Sequence, residues 1–129
     1  MEKLTRILHV DDDEDIRQIT KLTLELVGHY EVTQFASGVD AINNVHGLKP
    51  QLFLLDVMMP DMSGEDTMRQ LLALPGFESV PTVFMTAKAE RESTERLMRM
   101  GARAVIVKPF DPMTLCAEIE SAWQDGFAS

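Results

Sequence analysis

Residues 7–10, 52–55, 82–85 and 104–107 form four short runs that are predominantly apolar on both faces. A strand with one wetted face alternates polar and apolar residues. A run without alternation has to be covered from both sides, which is the environment of parallel strands lying between two layers of helices. A fifth run, 30–35, mixes polar residues into the pattern, as an edge strand does.

Between these runs lie segments with helical punctuation. Ile16, Ile19, Thr23, Leu26 and Val27 are spaced to share one face of a helix expected to end at Gly28. Ser63, with Asp66 three residues on, predicts the cap of a helix carrying Met68, Leu71 and Leu72 and stopped by Pro75. Asp111 before Pro112 predicts a further helix start, with Leu115, Cys116, Ile119, Ala122 and Trp123 on its apolar side. Alternation of this kind with right-handed crossovers implies an α/β fold, a doubly wound five-stranded parallel sheet with helices on both faces. Ligands of such folds bind beyond the carboxyl ends of the strands, where strand order reverses.

No linker, repeat or low-complexity tract divides the 129 residues, so residues 1–129 are read as one domain. The formal charge of -9 opposes non-specific attraction to nucleic acid or anionic lipid, so no direct nucleic-acid partner and no membrane partner is expected. The single cysteine, Cys116, excludes an intramolecular disulfide and a multi-cysteine zinc site. With neither a signal peptide nor a membrane span legible, a cytoplasmic location is expected.

The polar residues at the strand ends carry the chemistry. Asp11, Asp12, Asp13, Glu14 and Asp15 follow the first run, Asp56 the second central one, Thr86 the next and Lys108 the last. Asp13, Glu14 and Asp15 suit the first turn of a helix, where acids meet free N–H groups and the positive end of the dipole. Packing gives no such reason for Asp11, Asp12 and Asp56. Two carboxylates about 5 Å apart repel by roughly 3 kcal/mol at an effective dielectric of about 20, so three of them shift pKa or recruit a cation. Mg²⁺ answers that need, being bound through one or two carboxylates together with waters and a phosphate. Lys108 and the Thr86 hydroxyl add donors for phosphoryl oxygens, and the Asp56 carboxylate is a nucleophile able to form an acyl phosphate.

The order Val10-Asp11-Asp12, Leu55-Asp56-Val57-Met58-Met59-Pro60-Asp61-Met62-Ser63-Gly64, Met85-Thr86-Ala87 and Val107-Lys108-Pro109-Phe110 resembles the response-regulator receiver family over nearly the whole chain. The resemblance, closest to stand-alone receivers of the chemotaxis type, implies a flavodoxin-like strand order 2-1-3-4-5. It implies that Asp56 is the phosphoacceptor and that Thr86 and Lys108 grip the phosphoryl oxygens. Asp11, Asp12, Asp56 and the main-chain carbonyl of Met58 would hold Mg²⁺. It further implies a cis Lys108-Pro109 bond. The implied donor is a sensor histidine kinase or histidine phosphotransfer protein, and the implied output is a downstream protein effector or a phosphorylation-dependent homodimer. A protein of this kind is a phosphoacceptor in signalling rather than an enzyme.

One position departs from the family pattern. Many receivers carry Tyr or Phe three residues before the lysine, a ring that moves inward on activation; here Val105 stands there. Output is therefore expected from the loop after Thr86 and the helix following it, 89–100, with Glu92–Arg96 and Glu95–Arg99 as pairs along it and Leu97, Met98 and Met100 as its core anchors. Met58 supplies no group to orient water, so a long-lived phospho-Asp56 is expected.

Two other classes stay open. A metal-dependent phosphohydrolase would use the same nucleophile and lysine, but such enzymes usually carry an Asp at the position of Met58. A phosphate-independent adaptor would keep the fold with a vestigial site. His9 is read as a packed core residue, His29 and His46 as solvent-facing, and Cys116 as buried and inert.

Overall fold

A computed structural model describes residues 2–125. Five strands and five α-helices alternate along the chain: β1 (Arg6–Val10), α1 (Glu14–Leu26), β2 (Glu31–Phe35), α2 (Gly38–Asn44), β3 (Leu52–Asp56), α3 (Gly64–Leu72), β4 (Thr82–Thr86), α4 (Arg91–Arg99), β5 (Ala104–Val107) and α5 (Leu115–Asp125). The strands form one sheet in the order β2-β1-β3-β4-β5. Every pairing is parallel, with Ile7 opposite Val32 and Leu52, and Val83 opposite Ala104. The expected order and the edge position of β2 both hold.

The side-chain period of two divides the apolar residues between the faces. Ile7, Leu52, Leu54, Val83, Met85 and Ile106 meet Leu24 of α1 and Leu115, Ile119 and Trp123 of α5 in one core. Leu8, Val10, Phe53, Leu55 and Phe84 meet Ala41 of α2, Met68 and Leu71 of α3 and Leu97 of α4 in the other. Both faces being covered is the reason the central strands lack alternation. All five residues of β3 and of β4 are buried.

The starts of α1, α2 and α3 follow side-chain caps. Asp13 accepts from the Asp15 and Ile16 N–H groups, Ser37 from Asp40 and Ser63 from Asp66. Asp111 instead caps a turn: its side chain accepts from Met113 N at 2.8 Å and its carbonyl from Leu115 N at 3.0 Å. The regular turns of α5 consequently begin at Leu115, later than Pro112 suggested.

Four expectations are corrected. On α1 the inward face is Thr20, Thr23 and Leu24, with Ile16 partly buried, while Ile19, Leu26 and Val27 lie exposed. Thr23 and Ile16 of the expected face do turn inward, but they share that side with Thr20 and Leu24 rather than with Ile19, Leu26 and Val27. On α4 neither expected pair forms. Arg91 pairs with Glu95, and Arg96 reaches across to Glu65 of α3, a partner from another element that spacing along one helix does not reveal. Met98 is exposed, leaving Leu97 as the buried anchor of α4. Cys116 is only partly buried, its Sγ lying 3.8 Å from the Thr23 carbonyl.

Gly64 is required by a close approach. It donates to the Val57 carbonyl at 2.9 Å, and a methyl group there would collide with the main-chain carbonyl of Asp56. Gly64→Ala is expected to lower stability by about 1–3 kcal/mol through forced backbone displacement. A downward shift of the urea midpoint at unchanged slope is the readout.

Candidate functional site

The strand ladder runs on past its regular ends and fixes each site residue. Asp11 follows β1 and donates its N–H to the Phe35 carbonyl at 3.2 Å; Asp56 ends β3, and Val57 N bonds Met85 O at 3.0 Å. Thr86 ends β4, and its carbonyl accepts from Lys108 N at 2.7 Å. The Lys108–Pro109 bond is cis. Four chain segments thus deliver their polar groups to one crevice at the carboxyl edge of the sheet.

Lys108 Nζ lies 2.8 Å from Asp56 Oδ1 and donates to Asp11 Oδ2 at 3.0 Å. One carboxylate oxygen each from Asp11, Asp12 and Asp56 lies within 4.8 Å of the others. Asp11 and Asp56 are buried, whereas Asp12 is exposed. Asp11 is held twice more: its Oδ1 accepts from Asp13 N at 3.0 Å and its carbonyl from Arg17 Nη1 at 2.7 Å. The Thr86 hydroxyl oxygen accepts from Lys88 N at 3.0 Å, so its own proton is free to donate elsewhere.

Burial pushes the Asp56 carboxyl up to about 6; the bond to Lys108 opposes this, and the charges of Asp11 and Asp12 add to it. For Lys108 burial alone lowers the ammonium, but its bonds to Asp56 and Asp11 outweigh that and raise it. Lys108 therefore stays a cation through the neutral range, while Asp56 is the carboxylate whose charge the cluster opposes and which takes up a proton as the pH falls toward 6.

Of the residues singled out from the sequence, Asp11, Asp12, Asp56 and Lys108 meet directly, and Thr86 ends the strand next to Asp56. Met58, just after Asp56, is 61% exposed at the mouth of the crevice. Beside Thr86 a cleft of about 490 Å³ opens between α3 and α4, lined by Met58, Ser63, Lys88, Arg96 and Leu97 among others. Two supporting residues escaped sequence reasoning. Arg17 clamps the Asp11 carbonyl, and Gln34 donates to both His9 Nδ1 and the Arg17 carbonyl, at 3.0 and 2.8 Å. An arginine in the first turns after an acidic run was the available sign for Arg17; Gln34 gave none.

A family model described as the response regulator receiver domain matches residues 7–120. The DNA-binding response regulator MtrA of Mycobacterium tuberculosis is 36% identical over 116 residues, covering 90% of this chain and 49% of that protein. The chain thus spans about half the length of the curated relatives it matches first. An uncharacterised 14.6 kDa protein of Leptolyngbya boryana is 34% identical over 109 residues, 84% of this chain and 82% of that one. Among solved structures, the chemotaxis response regulator CheY4 of Vibrio cholerae aligns with a TM-score of 0.84 at 28% identity, covering 93% of this chain and 99% of the other. A response regulator receiver domain protein of Methanospirillum hungatei gives 0.82 at 30% identity, with 98% of each chain covered.

Proposed function

The chain belongs to the response regulator receiver family, and on that premise we propose that it takes a phosphoryl group onto Asp56 from a phosphohistidine and signals through altered protein contacts. The observation that carries this reading is the meeting of three carboxylates, from Asp11, Asp12 and Asp56, around the single ammonium of Lys108.

In the transfer an Asp56 carboxylate oxygen attacks phosphorus. The O–P bond forms as the P–N bond breaks, and the departing imidazole keeps the electron pair and takes a proton from solvent. Lys108 and the free proton of Thr86 bind two phosphoryl oxygens, compensating charge where it develops. The donor set fits Mg²⁺. It consists of oxygens, lacks His and Cys, and with three carboxylates against one ammonium carries an excess of two negative charges. Asp11, Asp12, Asp56 and the Met58 carbonyl would hold the ion, which when bound supplies the remaining charge neutralisation.

The partners we propose are a sensor histidine kinase or phosphotransfer protein and a downstream protein effector. With Val105 in place of an aromatic ring, output passes through α4. That helix is anchored by Leu97 and tied to α3 by Arg96 and Glu65, so it is among the more easily displaced parts of the fold. A phosphohydrolase reading has less to support it: Met58 offers no proton donor where such an enzyme needs an acid.

The test is intact-protein mass spectrometry after incubation with acetyl phosphate, with and without Mg²⁺, on the wild type and Asp56→Asn. A single Mg²⁺-dependent phosphoryl adduct, absent from Asp56→Asn and persisting for minutes or longer, is expected. A folded protein that gains no adduct would return the phosphate-independent adaptor to first place, and an adduct lost within seconds would contradict the role given to Met58.

A further inference from the structure

At the opposite pole from Asp56, by the amino ends of the strands, a cleft of about 770 Å³ is walled by segments from across the chain. Arg6 comes from the start of β1, Lys49 from the loop before β3, Phe77 from the loop after α3, Arg103 from the residue before β5 and Trp123 from the end of α5. We propose that this cleft binds a small ligand with an oxyanion head and a flat apolar body, of about the size of a mononucleotide.

The charges make the case for the head. A chain of formal charge -9 repels anions at long range, yet three of its cations line one hollow. None of Arg6, Lys49 and Arg103 forms an ion pair among the described residues, although Glu2 and Glu78 share the same walls. Glu78 is turned instead to Gly76 N, at 2.7 Å. Arg103 Nη1 is closed off from solvent and finds no acceptor among the described residues. The charge of that guanidinium is uncompensated, and an anion in the cleft offsets it through space, Nη1 itself having no surface for a ligand to touch.

Arg6 is also held in place before any ligand arrives. Arg6 Nε donates to the Lys49 carbonyl at 2.7 Å, and Gln51 binds the main chain on both sides, its Oε1 accepting from Thr5 N and Arg6 N and its Nε2 donating to the Lys3 carbonyl. Lys49 keeps a left-handed backbone, φ 52°, which a residue with a side chain adopts only where its surroundings impose it. The exposed His46 ring, set edge-on to Phe77 at 6.2 Å, supplies flat surface for the body, with Phe77 and Trp123 packed behind the wall. The volume lies within the usual range of small-molecule sites.

Trp123 is the only tryptophan and lines the cleft, so its fluorescence reports occupancy. The full chain is titrated with adenosine 5′-monophosphate, phenylacetate, adenosine and inorganic phosphate, with amide NMR shifts to place the site. Either of the first two is expected to give a saturable change with shifts at Arg6, Lys49 and Arg103, and whichever binds tighter assigns the head as phosphate or carboxylate. Adenosine and phosphate alone, and the Arg103→Gln protein with either full probe, are each expected to bind about tenfold more weakly or worse. Lys49→Gln, at an exposed side chain, replaces Arg103→Gln should that protein fail to fold. Phosphorylation of Asp56 by acetyl phosphate is expected to be unchanged in both variants. No saturable signal up to about 10 mM of either full probe, or undiminished binding in the folded variants, would overturn the proposal.

Discussion

In metal-free buffer, His9→Leu is expected to gain about 2 kcal/mol of stability between pH 6 and pH 4, while Asp56→Asn loses about as much and the wild type changes little on account of these two groups. His9 is fully buried, its Nδ1 faces Gln34 and its Nε2 has no partner among the described residues. Burial, with Lys108 and Arg17 adding, lowers its imidazolium from the ordinary 6.5 to about 3. The unfolded chain therefore takes up a proton that the folded chain refuses, and stability is lost as the pH falls from 6.5 toward 3. Asp56 has the opposite sign. Its folded value of about 6 lies above the 3.8 of an unperturbed Asp, so the folded chain takes the proton first and stability is gained as the pH falls through 6 toward 3.8. The windows overlap and the contributions cancel. Removing one group exposes the other, and the remaining carboxylates, common to all three proteins, drop out of the difference. Urea denaturation at several pH values measures it; parallel curves for the three proteins would mean that neither His9 nor Asp56 is shifted in the folded state.

The same two residues show where the sequence was legible and where it was not. Asp56 stood out because four apolar residues precede it and packing offers no use for an acid at that point. The two-sided burial of β3 and β4 and the site at their ends follow from local pattern combined with general rules for parallel sheets, whereas the strand order was implied by the family resemblance. His9 was legible as buried, but its partner Gln34 comes from the neighbouring strand, and register is needed to know that the two stand opposite. The misread face of α1 has a similar origin. Thr23 was expected inside and is, its hydroxyl satisfied by the Ile19 carbonyl of its own helix at 2.7 Å, but that its neighbours there are Thr20 and Leu24 depends on where the helix meets the sheet, which is tertiary geometry. The cleft at Arg103 was invisible for the same reason: its walls are drawn from both ends of the chain.

Lys108→Met is expected to lower stability at pH 8 by about 2–4 kcal/mol without metal, because removing one partner strands buried charge on the other. Lys108 is itself largely buried and is paired to Asp11, which is inaccessible to solvent, and to Asp56, which nearly is. Since its ammonium is raised, the stabilising pair persists through the neutral range and is lost only as the pH rises through that folded value above 10.5. The loss in the variant has a ceiling. Asp56, already at about 6 with Lys108 beside it, rises further without it and takes up a proton, so the deficit shrinks as the pH is lowered toward 6. Two additions separate this cause from simple loss of packing. Lys108→Met combined with Asp56→Asn should recover much of the deficit, because one of the stranded charges is gone. Mg²⁺ should stabilise Lys108→Met more than it stabilises the wild type, because a divalent cation entering the cluster takes over the charge compensation that the ammonium provided. Equal stabilisation of both proteins by Mg²⁺ would place the ion away from Asp11 and Asp56, and failure of the second substitution to recover stability would assign the loss to the lysine's methylene packing instead of its charge.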